Sequence, residues 1–208
     1  MAKKSIQFIY KENRNDYRIM ISHKYKCIFL HKGRTGGTSI EHSFNKLMEN
    51  KEKHLTQSLA REEYKDNWND YFIFTTVRNP YDWMVSCYFH NKQINHEWFQ
   101  NSFKIDILKM TFGEYIEWGK TKSSKQFIDD VNEIDYIIRF EDLQKGFDYV
   151  CEQIGKPKKL LERIESSTHK PYMEYYIKQS MIDDINEMYR ENFEQDGYER
   201  IIGTEKIK

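Results

Sequence analysis

Apolar and polar positions alternate along this chain in a way that repeats three times. Each time a short apolar run is followed by a polar loop and then by apolar residues at helical spacing. The first run is "KCIFLH" (Lys26–His31), after which Ile40, Phe44 and Leu47 fall at i, i+4 and i+7. The second, "YFIFTTV" (Tyr71–Val77), is continuous, β-branched and aromatic, the signature of a strand covered on both faces in a parallel sheet. It stops at "RNP", where Asn79 is a good helix cap and Pro80 a good first helical residue. The third, "DYIIRF" (Asp135–Phe140), predicts another core strand, followed by a helix that turns Leu143, Phe147, Val150 and Ile154 inward and closes at Gly155. Strand–loop–helix over 27–48, 71–90 and 135–154 predicts an α/β fold with a central parallel sheet flanked by helices. "YRIMIS" (Tyr17–Ser22) is set to pair with the first strand across "HKYK".

Other segments fill in the outline. Ser58–Trp68 reads as a short helix, and the helical pattern begun at Thr38 fades in the charged Glu49–His54 stretch. Residues 91–131 are polar and aromatic, with a helix expected at Thr111–Gly119 under a Thr111 cap. Met181–Phe193 reads as a last amphipathic helix, giving the C-terminal part a helical character. No internal repeat or low-complexity tract interrupts the pattern.

Length and composition narrow the class. The 208 residues suit one domain, with at most an appended helical part. Mean hydropathy is −0.88, yet 15% of residues are aromatic, which supports a real core and argues against disorder. Lys plus Arg and Asp plus Glu both number 33, so no global charge draws the chain to nucleic acid or an anionic membrane. An anion must therefore be held by a local concentration of donors. Cys27, Cys87 and Cys151 stand far apart in apolar settings and read as buried free thiols of a reducing compartment. The N-terminus lacks the apolar run of a signal peptide, and no stretch approaches a membrane span, so a cytoplasmic location is expected.

The candidate chemistry sits in "HKGRTGGTSIEHSF" (His31–Phe44). A strand turning through glycines into a helix presents backbone N–H groups to an anion. Gly36 and Gly37 let the main chain approach closely, Thr38 and Ser39 add hydroxyls, and Lys32 or Arg34 neutralises charge. The spacing is not that of a nucleoside-triphosphate loop, G-x-x-x-x-G-K-[ST]. Gly37 stands where that loop needs its lysine, and the next strand ends in Arg78 rather than an acidic magnesium partner. On the loop alone, a bare glycine turn is as good an explanation as an anion cradle. "VRNPYDWMVSCYF" offers a second cluster, Arg78 at a strand end and Ser86 on the following helix, able to converge on one phosphate. The plain alternative pairs Arg78 with Asp82.

Together these segments resemble the nucleotide-binding motifs of sulfotransferases that use 3′-phosphoadenosine-5′-phosphosulfate (PAPS). "FLHKGRTGGTSIE" is similar to the loop that holds the 5′-phosphosulfate, and "FTTVRNPYDWMVSCYF" to the segment that binds the 3′-phosphate. "DYIIRFEDLQKGFDYVCEQIG", "MYRENFEQDGY" and "HLTQSL" continue the likeness in the same order, weakest over residues 91–120. The nearest branch is the carbohydrate type, which includes the heparan sulfate 2-O enzymes. That branch carries Lys where this chain has Arg34, in a K-T-x-G-T-S pattern. Arginine keeps the charge and adds a planar fork.

The resemblance implies a P-loop-like sheet in a single sulfotransferase domain spanning 1–208, with 91–130 as an acceptor-side insertion. It implies PAPS as donor, PAP as product, no metal, and a carbohydrate or small-metabolite hydroxyl as acceptor. The implied donor-binding residues are Gly33, Arg34, Thr35, Gly36, Gly37, Thr38, Ser39, Arg78, Ser86 and Lys170. Arg34 would stabilise the leaving oxygen, with Lys32 as the alternative cation for that role, and His54 would be the base. For His169 and Lys170, closure over the nucleotide and a solvated turn are equally good readings. A P-loop kinase-like nucleotide enzyme and a catalytically inactive PAP-binding module are the rival readings.

Overall fold

The computed structural model describes residues 17–44, 48–121, 131–164 and 167–203, the side chains of 17 and 49–54 excepted. Leu47 lies outside them. In chain order the elements are β1 (Tyr17–Ser22), β2 (Cys27–His31), α1 (Gly37–Ser43), β3 (Glu49–Leu55), α2 (Gln57–Glu63), α3 (Lys65–Trp68) and β4 (Phe72–Val77). They continue with α4 (Pro80–Ile94), α5 (His96–Phe103), α6 (Phe112–Lys120), β5 (Tyr136–Arg139), α7 (Leu143–Gln153), α8 (Gln179–Met188) and α9 (Arg190–Asp196). They fall into two compact units, one holding the sheet and the other the helices α4–α6, α8 and α9.

The sheet unit is an α/β arrangement with strand order β3-β1-β2-β4-β5. The three strands expected to be parallel are so: β2 pairs with β4, and β4 with β5. The whole sheet is nevertheless mixed, because β1 runs antiparallel to both β2 and β3. The turn between Ser22 and Cys27 has no length for a crossover, so β1 and β2 can only form a hairpin. Its last residue, Lys26, takes a left-handed φ of 46°.

Alternation along the strands sorts side chains to the two faces. Met20, Cys27, Phe29, Phe74 and Ile138 pack with Ile40 and Phe44 of the α1 region and with Phe147, Val150 and Cys151 of α7. Ile19, Ile21, Ile28, Leu30 and Ile73 pack on the other face with Ala60 of α2, Tyr64 at its end and Trp68 of α3. Burial pushes the Cys27 thiol up to about 12, so it stays protonated in this core. All three cysteines are buried thiols outside any disulfide.

Two strands differ from expectation. β5 is an edge strand rather than a core one, and of its residues only Ile138 is fully buried. The charged stretch at 49–55 is strand β3 rather than a fading helix end. It occupies the other edge, where main-chain bonds to β1 suffice and charged residues are tolerated.

The helical unit is built on α4, which starts where the sequence indicates: Asn79 caps it by accepting the Tyr81 N–H at 3.0 Å, with Pro80 as its first residue. Its buried face joins Phe112, Tyr115 and Ile116 of α6 and Ile182 and Ile185 of α8. Thr111 and Glu114 form a reciprocal capping box at the start of α6. Inside, the Asn91 side-chain amide donates to the Tyr115 hydroxyl at 2.7 Å, and Asn95 donates to Asn91 at 2.8 Å. The single amphipathic helix expected at Met181–Phe193 is two, α8 and α9, divided at Tyr189, whose φ of −118° leaves the helical region.

Candidate anion-binding site

The loop between β2 and α1 lies at the carboxyl end of a parallel strand, where open α/β sheets place their ligand sites. Two departures from ordinary backbone, on either side of Thr35, shape it. Arg34 has φ 66° and Gly36 has φ 86°, the latter as N-cap of α1. Left-handed φ at a residue with a Cβ is costly and needs support from its surroundings.

The double glycine is required by the protein's own packing. A Cβ on Gly37 would lie 2.0 Å from Cδ2 of His31, whose ring is stacked on Phe29 with centroids 5.6 Å apart. A Cβ on Gly36 would lie 2.6 Å from Leu143 and 3.1 Å from Phe140. Gly33 is exposed, with open space where a side chain would go. The protein's own packing thus gives Gly36 and Gly37 a reason beside the one read from sequence.

Hydroxyl groups fix the loop from beneath. The Thr35 hydroxyl donates to the Lys32 carbonyl at 2.7 Å, which leaves it to accept from the Thr76 hydroxyl of β4 at 2.6 Å. Thr35 is wholly buried, so only its main chain is left to face a ligand. Lys32, Arg34 and Thr38 are half-buried. Ser39 is buried, and its hydroxyl accepts the Ile164 N–H at 3.4 Å.

Arg78, at the tip of β4, reaches the same loop. Its Nη1 donates to the Arg34 carbonyl at 3.1 Å, and its guanidinium carbon lies 3.9 Å above the Phe140 ring. Lys32, Gly33, Arg34, Thr35, Gly36, Gly37, Thr38, Ser39 and Arg78 therefore gather at one end of the sheet. His54 belongs to the same unit through its backbone. It pairs opposite Arg18, which in turn pairs opposite His31, so its main chain stands two strand spacings, about 10 Å, from the start of the loop. Its side chain lies outside the described residues.

Ser86, His169 and Lys170 belong to the helical unit. Ser86 is wholly buried on α4, its Oγ 3.3 Å from the Oγ of Ser167. The His169 ring stacks on Phe89 at 5.6 Å, and its Nδ1 donates to the Lys170 carbonyl at 2.8 Å. Lys170 is exposed and pairs with Glu174 at 3.5 Å. Sequence reasoning missed Thr76, Phe140 and Ser167. Thr76 has its signal in the polar pair that ends an otherwise apolar strand; Phe140 and Ser167 have none beyond adjacency to a strand end and to "THK".

Among the described residues no group of three or more His, Cys, Asp or Glu is placed to hold a metal ion, and no helix is long and apolar enough to cross a membrane. Taken together, these features define an α/β protein with a strand–loop–helix turn braced by an arginine. Comparison with family models, curated proteins and solved structures returns no match.

Proposed function

We propose that the protein is a PAPS-dependent sulfotransferase acting on a hydroxyl of a carbohydrate or small-metabolite acceptor, with a P-loop-like site for the donor. One observation carries this reading: two segments 44 residues apart in sequence, each similar to a donor-binding motif, meet through the hydrogen bond from Arg78 to Arg34. The half-exposed Lys32 and Arg34 beside an open Gly33 support an anion there rather than a bare turn.

PAPS supplies a sulfuryl group already joined to a good phosphate leaving group. The acceptor oxygen bonds to sulfur while the sulfur–oxygen bond to the 5′-phosphate breaks, and PAP departs. Arg34 stabilises negative charge on the departing oxygen, with Lys32 as the alternative cation for that role. Loop amides from Gly36 to Ser39 and the Thr38 hydroxyl hold the 5′-phosphate. Arg78 takes the 3′-phosphate through its guanidinium fork. His54 accepts the acceptor's proton, a task suited to imidazole near neutral pH.

Thermal denaturation with ligands tests the proposal. PAP raises the melting temperature, and ATP with magnesium does not. Labelled PAPS then yields a labelled product with an acceptor from a mixed hydroxyl panel. Stabilisation by ATP with magnesium alone would move the chain to the kinase-like class. PAP binding without any product would leave an inert binding module.

A further inference from the structure

Arg78 does more in this fold than wait for a phosphate. Its hydrogen bond ends on the carbonyl of Arg34, the one loop residue that has both a Cβ and a left-handed φ. A trans peptide is planar, with its C=O and N–H pointing in opposite directions. Fixing the Arg34 carbonyl on Arg78 therefore fixes the Thr35 N–H on the other side. The guanidinium is held in turn by Phe140, 3.9 Å below it. That ring also abuts Gly36, where an added Cβ would come within 3.1 Å of it. Arg78, Phe140, Arg34 and Gly36 thus form one closed set of contacts at the tips of β4 and β5.

We infer that Arg78 is a positioning residue for the anion-binding loop, setting the direction of the Arg34–Thr35 peptide through its planar fork. Resting on the sulfotransferase reading, this couples the two ends of the donor: the arginine that takes the 3′-phosphate also shapes the grip on the 5′-phosphate. Lysine keeps the charge at position 78, but it has neither the fork nor the flat face that Phe140 supports.

The test uses Arg78→Lys and Phe140→Leu in the full chain, with two readouts. Amide hydrogen exchange over residues 33–37 becomes about tenfold or more faster in both variants, the size expected for losing a charged hydrogen bond, while β2 and β4 keep their protection. The second readout is affinity for PAP and for AMP, which lacks the 3′-phosphate. Both affinities fall in Arg78→Lys, with AMP weakened about tenfold. Unchanged loop exchange overturns the inference, and so does a rise shared equally with β2 and β4. An AMP affinity equal to wild type overturns the coupling. Should wild type bind neither nucleotide, the donor reading fails, and the exchange data still decide whether Arg78 holds the loop.

Discussion

Gly37 has a reason within the fold that the sequence does not display. The sequence marks it as a place where a side chain is not tolerated, and it is one. A Cβ there would run into the ring of His31. A Gly37→Ala change must displace a ring stacked on Phe29, so it should lower stability by about 1–3 kcal/mol, the usual cost of overpacking. Urea unfolding of Gly37→Ala, His31→Ala and the double variant checks this. The double variant should recover part of the loss, and strictly additive losses would sink the explanation. Thr35 is a second case. A threonine in a glycine loop suggests a ligand hydroxyl, and nothing local reveals that Thr76, on a strand 41 residues later, takes it. Contacts that close over such separations are invisible to spacing rules.

At the scale of elements, what was legible depended on whether the signal was local. Asn79–Pro80 and Thr111…Glu114 satisfy orphan N–H groups within a few residues, and both helices start where those residues say. β3 carries no apolar alternation, because its strand character comes from backbone pairing with β1. The break at Tyr189 has no glycine or proline to announce it. Helical glycines provide a comparison within one fold. Gly146 of α7 has Ile138 so close that an added Cβ would meet it at 2.6 Å, and a β-branched strand side chain cannot swing away. Gly113 of α6 has only Met181 at 3.9 Å. Gly146→Ala should therefore lose about 1 kcal/mol or more despite alanine's better helix propensity, and Gly113→Ala should gain about 0.5–1 kcal/mol. Denaturant midpoints of the two variants moving in the same direction would contradict this.

For the whole molecule, the apolar runs identified the parallel strands β2, β4 and β5 correctly. They did not reveal that an antiparallel pair completes the sheet, since edge position and strand direction follow from connection length and not from hydrophobicity. The hairpin has a consequence for how the protein reaches this state. β1 and β2 close across a turn of a few residues, whereas β2 and β4 pair only after some 45 residues have been gathered in. Chain entropy favours the short closure first. The strand that bears the loop is thus organised early, while Thr76 and Arg78, which brace the loop, arrive late. Substitutions at Ile21 or Ile28 should slow refolding, and Thr76→Val should mainly hasten unfolding, as stopped-flow chevrons would show. The order implies a transient state with the hairpin made and the loop still unbraced, so the loop would take its final shape in the last stage of refolding.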